Sequence, residues 1–244
     1  MKPMTKNGRV ALVTGANKGI GREIAKGLAQ LGFTVLASAR DRQRGAQTVA
    51  ELADDGLDVR FQLLDVTDES SVDAAADQVA AEFGCLDVLV NNAAIANELE
   101  VPPSLTLVDD MRRVFETNVF GVVAMTNAVL PLLRKSDAAR IVNVSSRLGS
   151  LSHMAATDSP FGLHMAYSSS KSALNAVTVH YARELADTQI KVNACTPGYV
   201  ATDLNGNRGL RTPAQGAKIA VELAVLASDG PTGGFFDDNG PVSW

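Results

Sequence analysis

Six short, mostly β-branched apolar runs, each followed by a longer amphipathic stretch, restrict this chain to one class of architecture. Residues 10–14, 33–37, 59–63, 86–90, 140–144 and 190–194 are apolar almost throughout, as strands covered on both faces must be. The spans 20–30, 42–54, 70–83, 108–133, 167–185 and 213–227 read as helices between and after them, and 234–236 as a last short strand. Repeated βαβ order predicts an α/β fold: a doubly wound parallel sheet, flanked by helices on both faces, with right-handed crossovers. The 244 residues suit one domain spanning 1–244, since no linker interrupts the rhythm.

Two irregular stretches, near 147–166 and 203–212, follow predicted strands. Ligands of open α/β sheets bind beyond the carboxyl ends of the strands, so these loops are expected to wall the site. Net charge is −5, which argues against nucleic acid as a partner. The start is short and polar, without the apolar core of a signal peptide, and no run is read as a membrane span. A soluble, cytoplasmic protein is expected. Cys85 and Cys195 lack metal-ligand spacing and read as small buried apolar residues. His153, His164 and His180 are too scattered to suggest a triad with a serine, and no metal site is expected.

Thr14-Gly15-Ala16-Asn17-Lys18-Gly19-Ile20-Gly21 joins the first strand to the first helix. Its glycines permit a tight turn and close approach of backbone to a pyrophosphate, whose charge meets the helix N-terminus. The second strand ends Ala37-Ser38-Ala39-Arg40, with no carboxylate until Asp41. An acidic residue there accepts from the ribose 2′-hydroxyl of NAD. An arginine instead suits a 2′-phosphate through charge-assisted paired bonds. Lys18 and Arg44 are further candidate cations, so Arg40 and Lys18 favour NADPH, while a rotated strand end would present Asp41 instead.

Tyr167 and Lys171 stand four residues apart, on one face of a helix. A phenol titrates near 10, and a nearby ammonium is expected to lower that value toward the pH where acid/base catalysis works best. Upstream, Asn143-Val144-Ser145-Ser146 ends a strand and offers a hydroxyl to a carbonyl oxygen.

Together with Asp65-Val66, Asn91-Asn92-Ala93, Thr117-Asn118 and Pro197-Gly198 followed by Thr202, these motifs run along nearly the whole chain. In this order they resemble a short-chain dehydrogenase/reductase of the compact, single-domain type, with a Rossmann fold. The resemblance implies that Tyr167 donates a proton to the substrate oxygen and Ser146 holds that oxygen, Ser145 turning toward the core. It implies that Lys171 lowers the Tyr167 pKa and binds the nicotinamide ribose, and that Asn118 holds a relay water. Gly15, Asn17, Lys18, Gly19, Ile20, Gly21, Arg40, Val66, Ala93 and Tyr167 would line the NADPH/NADP+ site. Asp65 would meet the adenine and Asn91 its ribose. Pro197, Gly198, Val200 and Thr202 would fix the nicotinamide.

Ala94 replaces the usual glycine after Asn-Asn-Ala, and 20 residues (147 to 166) separate Ser146 from Tyr167, more than in most small members. The longer insertion, with the Asn17-Lys18 and Ala39-Arg40-Asp41 segments, resembles the carbonyl reductase branch. Phe161, Leu163, His164 and Met165 are candidate pocket lining, and 203–209 is polar and glycine-bearing, as suits a flap. The expected activity is NADPH-dependent reduction of a ketone or aldehyde, a small-molecule carbonyl or alcohol being the partner. The alternatives are a reductase of carrier-bound 3-oxoacyl groups, an alcohol dehydrogenase and a silent NADP-binding regulator. A carrier protein would want a basic pocket mouth, for which Arg147, Arg208 and Arg211 are the candidates. The resemblance also implies a homo-oligomer, a dimer or tetramer, with a monomer as the alternative because the insertion before Tyr167 accompanies that state in some relatives.

Overall fold

A computed structural model describes residues 7–96, 101–156 and 162–244. Its eight strands form one sheet in the order β3-β2-β1-β4-β5-β6-β7-β8. They are β1 (Val10–Val13), β2 (Thr34–Ala39), β3 (Val59–Leu63), β4 (Val88–Asn91), β5 (Arg140–Val144), β6 (Lys191–Cys195), β7 (Phe235–Asp237) and β8 (Gly240–Pro241). All pairings are parallel except β7 with β8; β7 is the last short strand expected near 234–236, and β8 lies outside the predicted set.

Alternation within each strand builds two separate cores. Ala11, Val13, Val35, Ala37, Val88, Val90, Val142 and Val144 face one way. They pack under α1 (Gly19–Gln30), α2 (Arg42–Asp54) and α8 (Pro213–Ala224). Val10, Leu12, Leu36, Leu89, Ile141 and Val192 face the other way, under α3 (Glu69–Phe83), α5 (Gly121–Leu133) and α7 (Met165–Glu184). Burial of both faces explains why the apolar runs are nearly continuous. The exception is β3, which is not apolar throughout: it is the sheet edge, and Arg60 and Leu63 are exposed there.

The helix expected over 108–133 is interrupted. It consists of α4 (Val108–Phe115), a π-helical turn at Glu116–Phe120, and α5. By length and composition alone it could cross a bilayer, contrary to the reading that no run suffices. Met125, Val129, Leu132 and Leu133 instead pack against the sheet, as in a core helix. Between β5 and α7 lies a further single-turn helix, α6 (Leu151–Met154). Cys195 is buried as expected, but Cys85 is only half-buried, following the turn at Gly84 that ends α3.

Candidate active site

The direction of winding reverses between β1 and β4, and in this topology the crevice beyond those carboxyl ends is the natural ligand site. The 14–21 turn lies there. Thr14 Oγ1 accepts hydrogen bonds from the Asn92 and Ala93 amides at 2.9 and 3.0 Å. Asn92 Nδ2 donates to the carbonyls of Thr14 and Gly15 at 2.9 and 3.1 Å. Two glycines are required by this packing. A Cβ on Gly15 (φ +63) would lie 2.9 Å from Ala93 Cα, and one on Gly21 would clash with the Gly15 carbonyl oxygen. Thr48 Oγ1 donates to the Asn17 carbonyl at 2.7 Å and holds the turn from α2. Sequence reasoning gives Asn92 no role, although its place in the Asn-Asn-Ala motif is the signal that marks it.

The helix that follows begins differently from its neighbours. α2, α3 and α8 are capped by the side chains of Asp41, Asp68 and Thr212. α1 has Lys18 at its N-cap, no side-chain cap and no acid in its first turn. Its leading N–H groups, together with the macrodipole, suit an anion. Asp41 is exposed and committed to α2, where it accepts from the Arg44 amide at 3.0 Å and pairs with the Arg44 guanidinium at 3.5 Å. It is therefore not presented as a ribose acceptor. Arg40 is exposed and, among the described residues, its side chain has no hydrogen-bond or ion-pair partner. Lys18 Nζ lies 2.6 Å from Asp203 Oδ2. These residues fit a dinucleotide carrying a 2′-phosphate.

Asn91 turns its side chain inward. Its Nδ2 donates to Asn143 Oδ1 and Thr126 Oγ1 at 2.9 and 3.2 Å, and Asn143 donates on to Thr178 at 2.9 Å. Its Oδ1 is buried and has no hydrogen-bond partner among the described residues, so the backbone is the more accessible part of Asn91 for a ribose. Asp65 is half-buried and accepts through Oδ1 from Thr67, while Val66 packs against Gly121 at the start of α5. Ala94, half-buried, precedes Ile95, whose amide and carbonyl are both bonded by Asn118 at 2.9 Å.

Asn118 lies in the π-helical turn, fully buried, and its second amide hydrogen reaches Ser170 Oγ at 3.0 Å. Ser170 in turn donates to the Tyr167 carbonyl at 2.7 Å. The amide group thus fastens the segment after β4 to the start of α7. π-Turns concentrate at functional sites because they free backbone groups from the regular ladder.

At the end of β5 the two serines diverge. Ser145 is buried and donates to Asn175 Oδ1 at 2.6 Å, as its expected turn toward the core requires. Ser146 is half-exposed, caps the Arg147–Gly149 turn by accepting from the Leu148 amide at 3.2 Å, and hydrogen-bonds Tyr167. Lys171 is buried on the next turn of α7. Its Nζ stands 5.7 Å from the Tyr167 ring centroid and donates to the Val144 carbonyl at 2.8 Å.

The four residues therefore converge, but the expected acidified phenol is corrected by the electrostatics. Although the Tyr167 side chain is only half-buried as a whole, burial of its hydroxyl pushes the pKa up to about 12, opposed by the bond with Ser146. Burial likewise pulls Lys171 down to about 8, with Cys195 opposing. Desolvation disfavours both charged forms and is the largest influence on each. The arrangement is a neutral acid, ready to give a proton.

Past the end of β6, Val200 is buried and Gly198 takes φ +76, where a Cβ would strike Arg211. Pro197 is buried and Thr202 half-buried. The 203–212 segment begins with a helical turn at Asp203–Asn205, and its base is closed by backbone bonds from Ala201 to Arg211 and from Leu210 to Tyr199, both 2.9 Å. Leu204 and Leu210 are exposed in this segment, as is Tyr199 just before it. Leu163 is exposed and His164 and Met165 are half-buried at the start of α7, whereas Phe161 lies outside the described residues. The candidate basic mouth is largely neutralised. Arg147 pairs with Asp237 and Arg211 with Asp238, while Arg208 donates to the Asn205 carbonyl at 3.0 Å. Burial works against the Asp237 charge, yet the bond from Arg147 holds its carboxyl below the usual range.

Comparison with known proteins places these features in a family. The profile described as short chain dehydrogenase matches residues 9–212. A carbonyl reductase [NADPH] 1 from Sus scrofa is 36% identical, over 99% of this chain and 96% of its own length. Salutaridine reductase from Papaver bracteatum is 33% identical, covering 94% of each. The crystal structure of NADPH-bound carbonyl reductase from chicken fatty liver superimposes with a TM-score of 0.86 at 30% identity, covering 97% of this chain and 99% of that one. The chain belongs to the short-chain dehydrogenases, a family of oxidoreductases.

Proposed function

We propose that this protein reduces a small ketone or aldehyde to an alcohol, using NADPH, with Tyr167 as proton donor. The observation that carries the reading is the hydrogen-bonded Ser146–Tyr167 hydroxyl pair, with Lys171 behind it, at the carboxyl end of β5. Bound NADPH supplies the hydride. The α1 N-terminus would hold its pyrophosphate, Arg40, Lys18 and Arg44 its 2′-phosphate, Lys171 the nicotinamide ribose and the 197–202 segment its amide. Ser146 donates to the substrate carbonyl oxygen and stabilises the alkoxide that develops there, and the Tyr167 hydroxyl protonates it. Asn118 keeps the β4–α4 segment and α7 in register around this oxygen.

A phenol held near 12 favours reduction, which consumes its protonated form. Neutralisation of Arg147 and Arg211 by neighbouring aspartates speaks against an acidic carrier protein as substrate vehicle. The exposed leucines of the 203–212 segment suit an apolar carbonyl compound.

The test is initial-rate oxidation of NADPH and NADH against a panel of free ketones and one carrier-linked oxoacyl substrate. Free ketones should be reduced, with kcat/KM favouring NADPH by about 10- to 100-fold, the worth of a charge-assisted contact set. Equal use of NADH, or turnover of the carrier-linked substrate alone, would overturn the reading.

The pH profile supplies a second check. Tyr167 stays protonated well above neutrality, whereas Lys171 loses its proton as pH rises through about 8. The first alkaline loss of reductase activity is therefore expected near 8 and belongs to Lys171, which relays the proton that replaces the one given up by Tyr167. A profile flat beyond pH 10 would remove Lys171 from the proton path.

A further inference from the structure

Lys18 and Asp203 are 185 residues apart in sequence, yet Nζ and Oδ2 meet at 2.6 Å. The contact ties the phosphate turn to the first residue of the 203–212 segment. The neighbouring residues also approach one another: a Cβ on Gly19 would lie 3.4 Å from Thr202 Cγ2. Of the acidic groups around the cations proposed for the 2′-phosphate, Asp41 is used at the α2 cap, which leaves Asp203 as the carboxylate bound to Lys18. The bond from Lys18 and the nearby charge of Arg44 both hold the Asp203 carboxyl below its usual range, so it lies within the field of two of those cations.

We propose that Asp203 is a cofactor-selectivity residue: its carboxylate competes with the 2′-phosphate for Lys18 and so moderates the preference for NADPH over NADH. The inference rests on the 2′-phosphate reading of the Lys18–Arg40–Arg44 cluster. A phosphate placed among those side chains brings up to two negative charges to the ammonium that already serves Asp203. At contact range the two anions repel, and Lys18 must divide its three donors or release the carboxylate. Both partners of the pair are more than half exposed, with side-chain accessibilities of 53% and 62%, so the pair is weak enough for a dianion to displace. Release of Asp203 would free the start of the 203–212 segment as the phosphate docks. NADH, with a hydroxyl in that position, leaves the pair intact.

Asp203→Asn keeps the size of the side chain and removes its charge. Binding of NADPH and of NADH is to be followed by fluorescence titration of the full chain without substrate. The variant is expected to bind NADPH about 3- to 10-fold more tightly and NADH with little change, the gain shrinking as salt is raised. In a Lys18→Met background the same substitution should have a smaller effect on NADPH. Unchanged NADPH affinity in Asp203→Asn, or equal tightening for both cofactors, would overturn the competition. The unmutated chain separates this failure from that of the underlying reading. If it prefers NADPH but Asp203→Asn does not tighten binding, only the competition is wrong. If it binds both cofactors alike, the 2′-phosphate assignment falls, and the competition with it.

Discussion

Tyr167→Phe is expected to lower kcat for ketone reduction by about 10²- to 10⁴-fold, the usual worth of a positioned general acid. NADPH affinity should hardly change, because phenylalanine keeps the ring that packs beside Lys171 and removes only the hydroxyl. The fold should also survive. Ser146 Oγ retains its bond from the Leu148 amide, and Lys171 its bond to the Val144 carbonyl. One hydrogen bond between hydroxyls is lost, at a cost of about 1 kcal/mol. The loss should appear in kcat more than in KM, since the bond to the reacting oxygen is strongest when that oxygen carries charge. Single-turnover reduction by preloaded enzyme, with cofactor titration in parallel, checks both halves. A variant that reduces ketones at near-normal rate would show that the proton comes from elsewhere and would dissolve the mechanism proposed for Ser146 and Lys171.

The chemistry of this site is legible in the sequence at the level of residue types and helix faces. Tyr167 and Lys171 share a face because four residues make about one turn, and that geometry is fixed locally. Their protonation is not local. It depends on how much low-dielectric protein surrounds each group, so a spacing argument yields a lowered phenol where burial raises it. Strands buried on both faces can be read to within about two residues, and β3 departs from the pattern because sheet-edge position is a property of topology. The same limit applies within 108–133. Asn118 bonds the backbone of Ile95, and no helical periodicity announces a turn whose amide partner comes from another element. Asp203 reads as one more polar residue of a loop, since the lysine that meets it lies 185 positions away.

Arg140 makes a set of stabilising contacts that the strand pattern conceals, and its replacement by leucine is expected to cost about 3 kcal/mol of stability. The side chain opens β5 and is only 2% exposed, with no carboxylate partner among the described residues. Its charge is instead spread over backbone carbonyls. Nε and Nη2 donate to Leu226 at 3.0 and 2.6 Å, and Nη1 donates to Ala139 and Gln189 at 2.8 and 3.2 Å. Leu226 lies just past the end of α8 and Gln189 just before β6, so one planar fork fastens a helix terminus and the approach to a central strand to β5. Leucine fills part of the space but leaves the Leu226 and Gln189 carbonyls without this donor, whereas the Ala139 carbonyl keeps the Lys191 amide at 3.1 Å. Lysine at this position should recover only part of the loss, because a single ammonium cannot span both directions of the fork. In a chain of 244 residues a loss of about 3 kcal/mol corresponds to a fall in Tm of roughly 6 to 12 °C. Arg134→Ala, which breaks an exposed pair with Glu184 at 3.3 Å, should shift stability by less than about 1 kcal/mol and serves as the contrast. Thermal and urea unfolding of Arg140→Leu, Arg140→Lys and Arg134→Ala measure this directly. An Arg140→Leu variant as stable as the Arg134→Ala control would mean that the carbonyls at the end of α8 find other donors, and that burial of this guanidinium contributes nothing net.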